Sequence, residues 1–171
     1  LDIKIFFMKT QNKKPTAYLI VGFIGSGKTT FAKKLEKKAG ALRFTKDEWF
    51  IRIFGNDPTI DAFEKYDERI TNLCIDIALE CLRAGNDVII DDGFWFRSQR
   101  DDTRKRIKKL GANAQLYYVK CSDKKMKQRT LKRSENPTKD AFRIDEVMFD
   151  SYKKYFDELG NDEEHIVIES K

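Results

Sequence analysis

Short apolar runs alternate along the chain with longer segments whose apolar positions recur every three or four residues. Residues 17–21 are an uninterrupted apolar run closed by Gly22, and residues 30–38 present Phe31, Ala32 and Leu35 at helical spacing. This predicts strand, loop, helix. A short apolar piece at 41–44 precedes Thr45, which can cap a helix that begins near Asp47, carries Trp49, Phe50, Ile53 and Phe54, and ends at Gly55, Asn56, Asp57 and Pro58. From residue 59 to 84, Phe63, Tyr66, Ile70, Leu73, Ile77 and Cys81 mark the buried face of one long amphipathic helix, closed by Gly85 and Asn86.

The run Val88, Ile89, Ile90 has no polar alternation and ends in Asp91, the pattern of a buried parallel strand that delivers a carboxylate to its carboxyl end. A basic helix over 97–110 is stopped by Gly111, and residues 116–119 read as another strand. Residues 123–133 and 144–159 read as helices and 166–168 as a last strand. Such alternation predicts an α/β three-layer sandwich: a parallel sheet covered on both faces, with ligands at the carboxyl ends of its strands. The polar stretch 134–140, with Asn136 and Pro137, predicts a mobile loop within a helical lid over about 123–143.

Composition narrows the class without naming a chemistry. At 171 residues and 40% hydrophobic, the chain reads as a single domain over 1–171 with its own core. Residues 1–14 read as an extension or a disordered lead-in; residues 1–7 either precede a natural start at Met8 or form an extra edge strand. The net charge of +6 and a pI near 9.1 suit a phosphate-rich partner, although basic and acidic residues interleave as on solvated helix faces. Cys74, Cys81 and Cys121 have no CxxC spacing, which argues against a disulfide framework or a zinc site. His165, the only histidine, reads as a strand residue and leaves no histidine-dependent triad. No run approaches the ~20 apolar residues of a membrane span, and residues 1–7 lack the features of a signal peptide. A cytoplasmic protein without a membrane partner is the expectation.

The string GFIGSGKT at 22–29 carries the chemistry. It satisfies GxxxxGK[ST] through Gly22, Gly27, Lys28 and Thr29, with Gly25 as an additional glycine. Such a P-loop winds tightly enough for its backbone N–H groups to converge on phosphate oxygens, and the following helix points its positive end at the same place. Gly22, Gly25, Ser26, Gly27, Lys28, Thr29 and Thr30 are the expected nucleotide-binding residues: Lys28 reaches the β and γ phosphates and the Thr29 hydroxyl binds Mg²⁺. The fold class is then a P-loop NTPase. Asp91 is the leading candidate for the metal-side acid and Asp92 its rival; since strand neighbours face opposite ways, one should face the nucleotide and the other should be a cap or surface acid.

Together with the P-loop, the strings TKDEWFIRIFG at 45–55 and IIDDGFWFRSQRD at 89–101 and the pair Arg129 and Arg133 resemble the P-loop kinases grouped with zeta toxin, chloramphenicol phosphotransferase and phage polynucleotide 5′-kinase. They are most similar to a bacterial subgroup described as ATP-binding or predicted kinase proteins. The resemblance implies an ATP- and Mg²⁺-dependent phosphotransferase in which Asp47 accepts the proton of a substrate hydroxyl, Arg129 and Arg133 close over the triphosphate, and Arg100 lies near substrate or phosphates. Arg129 and Arg133 are four residues apart, so they share one helix face; a generic basic face is the plainer reading. Asp47 could equally serve as a first-turn acid.

Trp49, Arg52 and Trp95 are further substrate-side candidates, while Phe50 and Phe94 read as core. Where the polynucleotide kinases of that group carry an arginine three residues after the base, this chain has Phe50, with Arg52 two further on. A small hydroxylated acceptor (nucleoside, sugar or antibiotic) is therefore expected ahead of a nucleic-acid 5′-hydroxyl end. An ATP-hydrolysing switch or binding module is the reading from another class. No NKxD-type string reads guanine, and ATP is the expected donor.

Overall fold

The structure is a computed structural model that describes residues 13–136 and 141–170. The expectations for residues 1–12, and the part of the lid loop at 137–140, lie outside the described residues. Five strands, β1 (Thr16–Val21), β2 (Leu42–Phe44), β3 (Val88–Gly93), β4 (Asn113–Lys120) and β5 (Ile166–Glu169), form one parallel sheet in the order β2-β3-β1-β4-β5. The helices are α1 (Lys28–Ala39), α2 (Lys46–Phe54), α3 (Ile60–Arg83), α4 (Arg97–Lys109), α5 (Asp123–Glu135) and α6 (Glu146–Lys153). The chain winds out to β2, returns through β3, then crosses β1 to reach β4. β1 is thus the topological switch, and the loop after it opens into the crevice where such sheets bind ligands.

Both faces of the sheet are covered, which is why its strands read as continuous apolar runs. Leu19, Val21, Val88, Ile90 and Leu116 point to one face and pack against Cys74, Ile75, Ala78 and Leu82 of α3 and Ile107 of α4. Ile20, Ile89 and Val119 point to the other, against Ala32 of α1. The β4 strand starts at Asn113, earlier than its apolar run, because Asn113 and Ala114 lie at an exposed end where hydropathy carries no signal.

The long helix α3 forms as expected, capped by Thr59, whose hydroxyl accepts from the Ala62 N–H at 3.2 Å. Its buried face follows that run only in part, sharing Ile70 and setting the half-buried Cys81 against the core. Ile70, Thr71, Cys74, Ile75, Ala78, Leu79 and Leu82 face the core, whereas Leu73 and Ile77 are 53% and 38% exposed. The small residues Thr71, Cys74 and Ala78 let the helix lie close to the sheet, so fit outweighs residue hydrophobicity. Cys74 is the core residue it was read as, and burial pushes its thiol up to about 12.

The helix expected over 144–159 stops at Lys153. Beyond it the chain tightens into turns, and Asp157 is drawn off to α4: its N–H donates to the Trp95 carbonyl at 2.9 Å, and its carboxylate accepts from the Arg97 N–H at 3.0 Å. Asp157 thus caps α4 from sixty residues away. His165 precedes β5, with its ring edge-on to Tyr118.

This C-terminal segment also supplies Glu163, which forms a fully buried pair with Arg100. Arg100 Nη2 and Nε reach the Glu163 carboxylate at 2.6 and 2.8 Å, and Nη1 donates to the carbonyls of Phe94 (3.0 Å), Asp157 (3.1 Å) and Trp95 (3.3 Å). Breaking a buried pair strands an uncompensated charge. Glu163→Ala is expected to cost about 3–5 kcal/mol of unfolding free energy, measured by urea denaturation; a loss below ~1 kcal/mol would show that the pair is not a structural tie.

Candidate active site

The P-loop joins β1 to α1, with Lys28 as the first residue of the helix. Gly25 adopts φ +77°, and a Cβ there would run into the Met126 carbonyl and come within 2.7 Å of Thr130 Oγ1 on α5. The additional glycine of the motif is therefore where α5 presses onto the loop. That contact brings Arg129 and Arg133 to the phosphate end: both line a cavity of about 700 Å³ together with Gly25, Gly27, Lys28, Thr29 and Thr30. Arg129 Nη1 donates to Ser170 Oγ at 3.0 Å, so the segment after β5 closes the far wall.

Lys28 also adjoins a largely buried set of charges. Thr29 lies close enough to Asp91 to favour its ionised form, uniting the two residues expected at a metal ion. Arg43 of β2 approaches Asp91 Oδ2 at 3.7 Å, donates to Glu48 at 2.9 Å and also holds the Thr45 hydroxyl, which therefore does not cap α2 through its side chain. Lys46 donates to both oxygens of Asp67 at 2.8 and 3.0 Å and lies 3.9 Å from Asp92 Oδ1.

The expectation that Asp92 would be a cap or surface acid is overturned. Its side chain is 5% exposed and takes a 2.6 Å hydrogen bond from Gln99. The strand register explains this: Leu19 pairs with Ile90 but Val21 pairs with Gly93, so two steps of β1 span three of β3. The bulge breaks the alternation on which the expectation rested. Gly93 (φ +95°) and Phe94 (φ +47°) then turn the chain sharply, and Phe94 is a bulky residue in a conformation such residues avoid. The Arg100 guanidinium grips the carbonyl of this same residue.

The electrostatics follow from burial. Asp91 is raised to about 6 by burial, against the pull of Lys28. Burial also raises Asp47 and Asp92, with Lys46 the main opposing charge in each case, and lowers Lys28 against Asp91 and then Asp47. For Lys46 burial pulls the pKa down, but Asp92, Asp47 and Asp67 outweigh it and the net shift is upward.

A carboxyl raised on folding opposes the fold once it must ionise. The Asp91 contribution is neutral below about pH 4, becomes unfavourable as pH rises toward 6, and stays so above it. Asp91→Asn should therefore make the ligand-free protein more stable by roughly 1–3 kcal/mol near pH 7.5, with no gain near pH 4. Urea unfolding at the two pH values measures this, and equal effects at both would contradict it.

The other sequence candidates scatter. Phe50 and Phe94 are core, at 1% and 0% exposed. Trp49 packs edge-on to Phe44, and Arg52 is exposed on α2. Trp95 borders the P-loop: its indole nitrogen and Lys28 Cε lie 3.1 and 3.3 Å from the point where a Gly93 Cβ would sit. Arg100 is not at the phosphates: it is fully buried, and each of its three nitrogens is engaged by Glu163 or by backbone carbonyls.

Sequence reasoning missed Lys46, Asp67 and Gln99. A signal existed for Asp67: with Thr71, Cys74 and Ala78 it continues the small-residue stripe of α3, where an acid on a buried face needs a partner.

Fold and loop together define a P-loop NTPase of the α/β class. Residues 18–159 match the family model described as AAA domain, and the chain belongs to that family. It is similar to a gluconokinase from Sinorhizobium meliloti 1021 (13% identity, TM-score 0.63, 92% of this chain and 84% of that one). Kti12 from Chaetomium thermophilum, in complex with ADP-AlF3, matches at 15% identity and TM-score 0.67, over 90% of this chain and 88% of that one. A chain of the Pnkp1/Rnl/Hen1 RNA repair complex matches at 21% identity and TM-score 0.62, over 87% of this chain and 48% of that one. At such identities the likeness is one of fold, and it agrees with the resemblance to the P-loop kinase group. Among the described residues, no helix is long and apolar enough to cross a membrane.

Proposed function

We propose that the protein is an ATP- and Mg²⁺-dependent kinase that transfers the γ-phosphoryl group to a hydroxyl of a small acceptor such as a nucleoside, sugar or antibiotic. One observation carries this reading: Asp47 from α2 and Lys28 from the P-loop share a buried charge cluster with Asp91, beside a cavity that Arg129 and Arg133 line. Ser26 Oγ and Asp91 Oδ2 are buried without a hydrogen-bond partner among the described residues. Orphaned atoms of this kind fit a phosphate oxygen and a hydrated divalent cation. Thr29 and Asp91 would hold the ion, which when bound neutralises charge on the phosphates.

In the transfer, the acceptor oxygen bonds to the γ-phosphorus, the bond from that phosphorus to the β–γ bridging oxygen breaks, and ADP departs. Asp47 takes the hydroxyl proton; its burial raises the pKa toward neutrality, where a base that is still ionised is most effective. Lys28 and the two arginines oppose charge on the phosphoryl oxygens, the main contribution a protein makes to this reaction. A polynucleotide 5′-hydroxyl kinase is the second reading, favoured by the similarity to a chain of an RNA repair complex. An ATP-consumption screen over nucleosides, sugars, aminoglycosides, phenicols and 5′-hydroxyl oligonucleotides tests the proposal. Turnover that no hydroxyl compound stimulates would overturn it.

A further inference from the structure

Beyond the phosphate loop, the side-chain set Lys46, Asp47, Asp67, Asp92 and Gln99 has an unusual balance. Lys46 is the one cation within it, bound by both Asp67 oxygens and 3.9 Å from Asp92 Oδ1, and Lys28 is the next, acting on Asp47 and Asp92 from the phosphate loop. Asp92 is held at Oδ2 by Gln99, yet Oδ1 is buried without a hydrogen-bond partner among the described residues, on a side chain 5% exposed. An ionised oxygen in that state is costly unless something donates to it. It lies beside the acid expected to receive the acceptor proton: Oδ1 is 3.9 Å from Nζ of Lys46, the residue before Asp47, Asp92 raises the Asp47 carboxyl, and Lys46 is the principal opposing charge for both. The set reaches the surface at Asp67, whose side chain is 26% exposed.

Resting on the kinase reading, we propose that Asp92 Oδ1 is an acceptor-docking site that takes a hydrogen bond from a second donor, a hydroxyl or ammonium group, close to the hydroxyl being phosphorylated. Three carboxylates face one committed lysine, and Lys28 is drawn first to Asp91, so the set stays net negative, which favours a polyhydroxylated or amino-substituted acceptor and disfavours an anionic one. The acceptor is thus a sugar, cyclitol or aminocyclitol rather than a nucleic-acid 5′ end. Gln99 is the positioning residue that fixes which Asp92 oxygen is left to the substrate.

The test uses glucose, myo-inositol, kanamycin, thymidine and a 5′-hydroxyl dinucleotide with the native chain and Asp92→Asn, following ADP release and ATP-induced thermal stabilisation. The expected result is stimulation by one of the first three. In Asp92→Asn the KM for that acceptor should rise about tenfold or more, with the Mg²⁺ requirement changed less than about twofold. Should Asp92→Asn fail to fold, Gln99→Met replaces it, with a rise of about threefold expected in the same KM. Three outcomes overturn the docking site alone: thymidine or the dinucleotide as the best acceptor, an unchanged acceptor KM, or an effect confined to the Mg²⁺ requirement. Stimulation by none of the first three also overturns the docking site, and the kinase reading falls with it when no compound of the wider acceptor screen stimulates turnover either.

Discussion

Asp47→Asn is expected to lower acceptor-stimulated turnover by about 10²–10⁴-fold while ATP still stabilises the protein against heat. Asparagine keeps the shape and the hydrogen-bonding reach of the side chain but cannot take a proton. The loss should fall on kcat at saturating acceptor, because the group acts as the hydroxyl proton moves rather than when ATP binds. Burial raises the Asp47 pKa, and a base works only when deprotonated. Activity of the native chain should therefore fall on the acid side along a limb that lies above the ordinary carboxylate range, and that limb should disappear in Asp47→Asn. Turnover within about threefold of native would remove Asp47 from the chemistry.

Lys28→Ala should abolish stabilisation by nucleotide altogether. A ligand at a hundred times its Kd adds about 2.7 kcal/mol, worth roughly 5–11 °C in Tm for a chain of this size. The native protein should show a shift of that order with Mg-ATP and the variant none. The ligand-free fold should survive, since Lys28 is a half-buried cation on the cavity wall whose pKa is lowered by burial, and its one described side-chain hydrogen bond goes to the Phe23 carbonyl at 3.1 Å. Removing it relieves that burial and gives up the attraction of Asp91 and Asp47, two effects of opposite sign. Retained stabilisation by nucleotide would sink the assignment of the phosphate loop.

The order of strands and helices, the P-loop and the buried strand ending in Asp91 were legible in the sequence because each is written in consecutive residues. What escaped was set by contacts distant in sequence. The buried face of α3 depends on how closely Thr71, Cys74 and Ala78 let it approach the sheet, which hydrophobicity at Leu73 and Ile77 does not encode. Asp92 was misread because strand alternation assumes a regular ladder, and the irregularity arises from pairing with β1, seventy residues earlier. Arg100 was misread because its partner is a glutamate in a polar stretch with no pattern of its own. Arg129 and Arg133, four apart on one helix, needed no long-range information to share a face, yet only the Gly25 contact explains why that face meets the loop.

The family match ends at residue 159, four residues short of Glu163. A fragment cut at that boundary would keep the phosphate loop, Asp47, Asp91 and both cavity arginines, and would still leave a guanidinium buried without its counter-charge beneath the turn that aims Asp91 and Asp92. The structural tie therefore runs past the family match, since Arg100 within it takes its counter-charge from Glu163 beyond it. A chain ending at residue 159 is thus expected to lose stability as Glu163→Ala does, although every residue expected to touch the transferred group lies upstream of the cut.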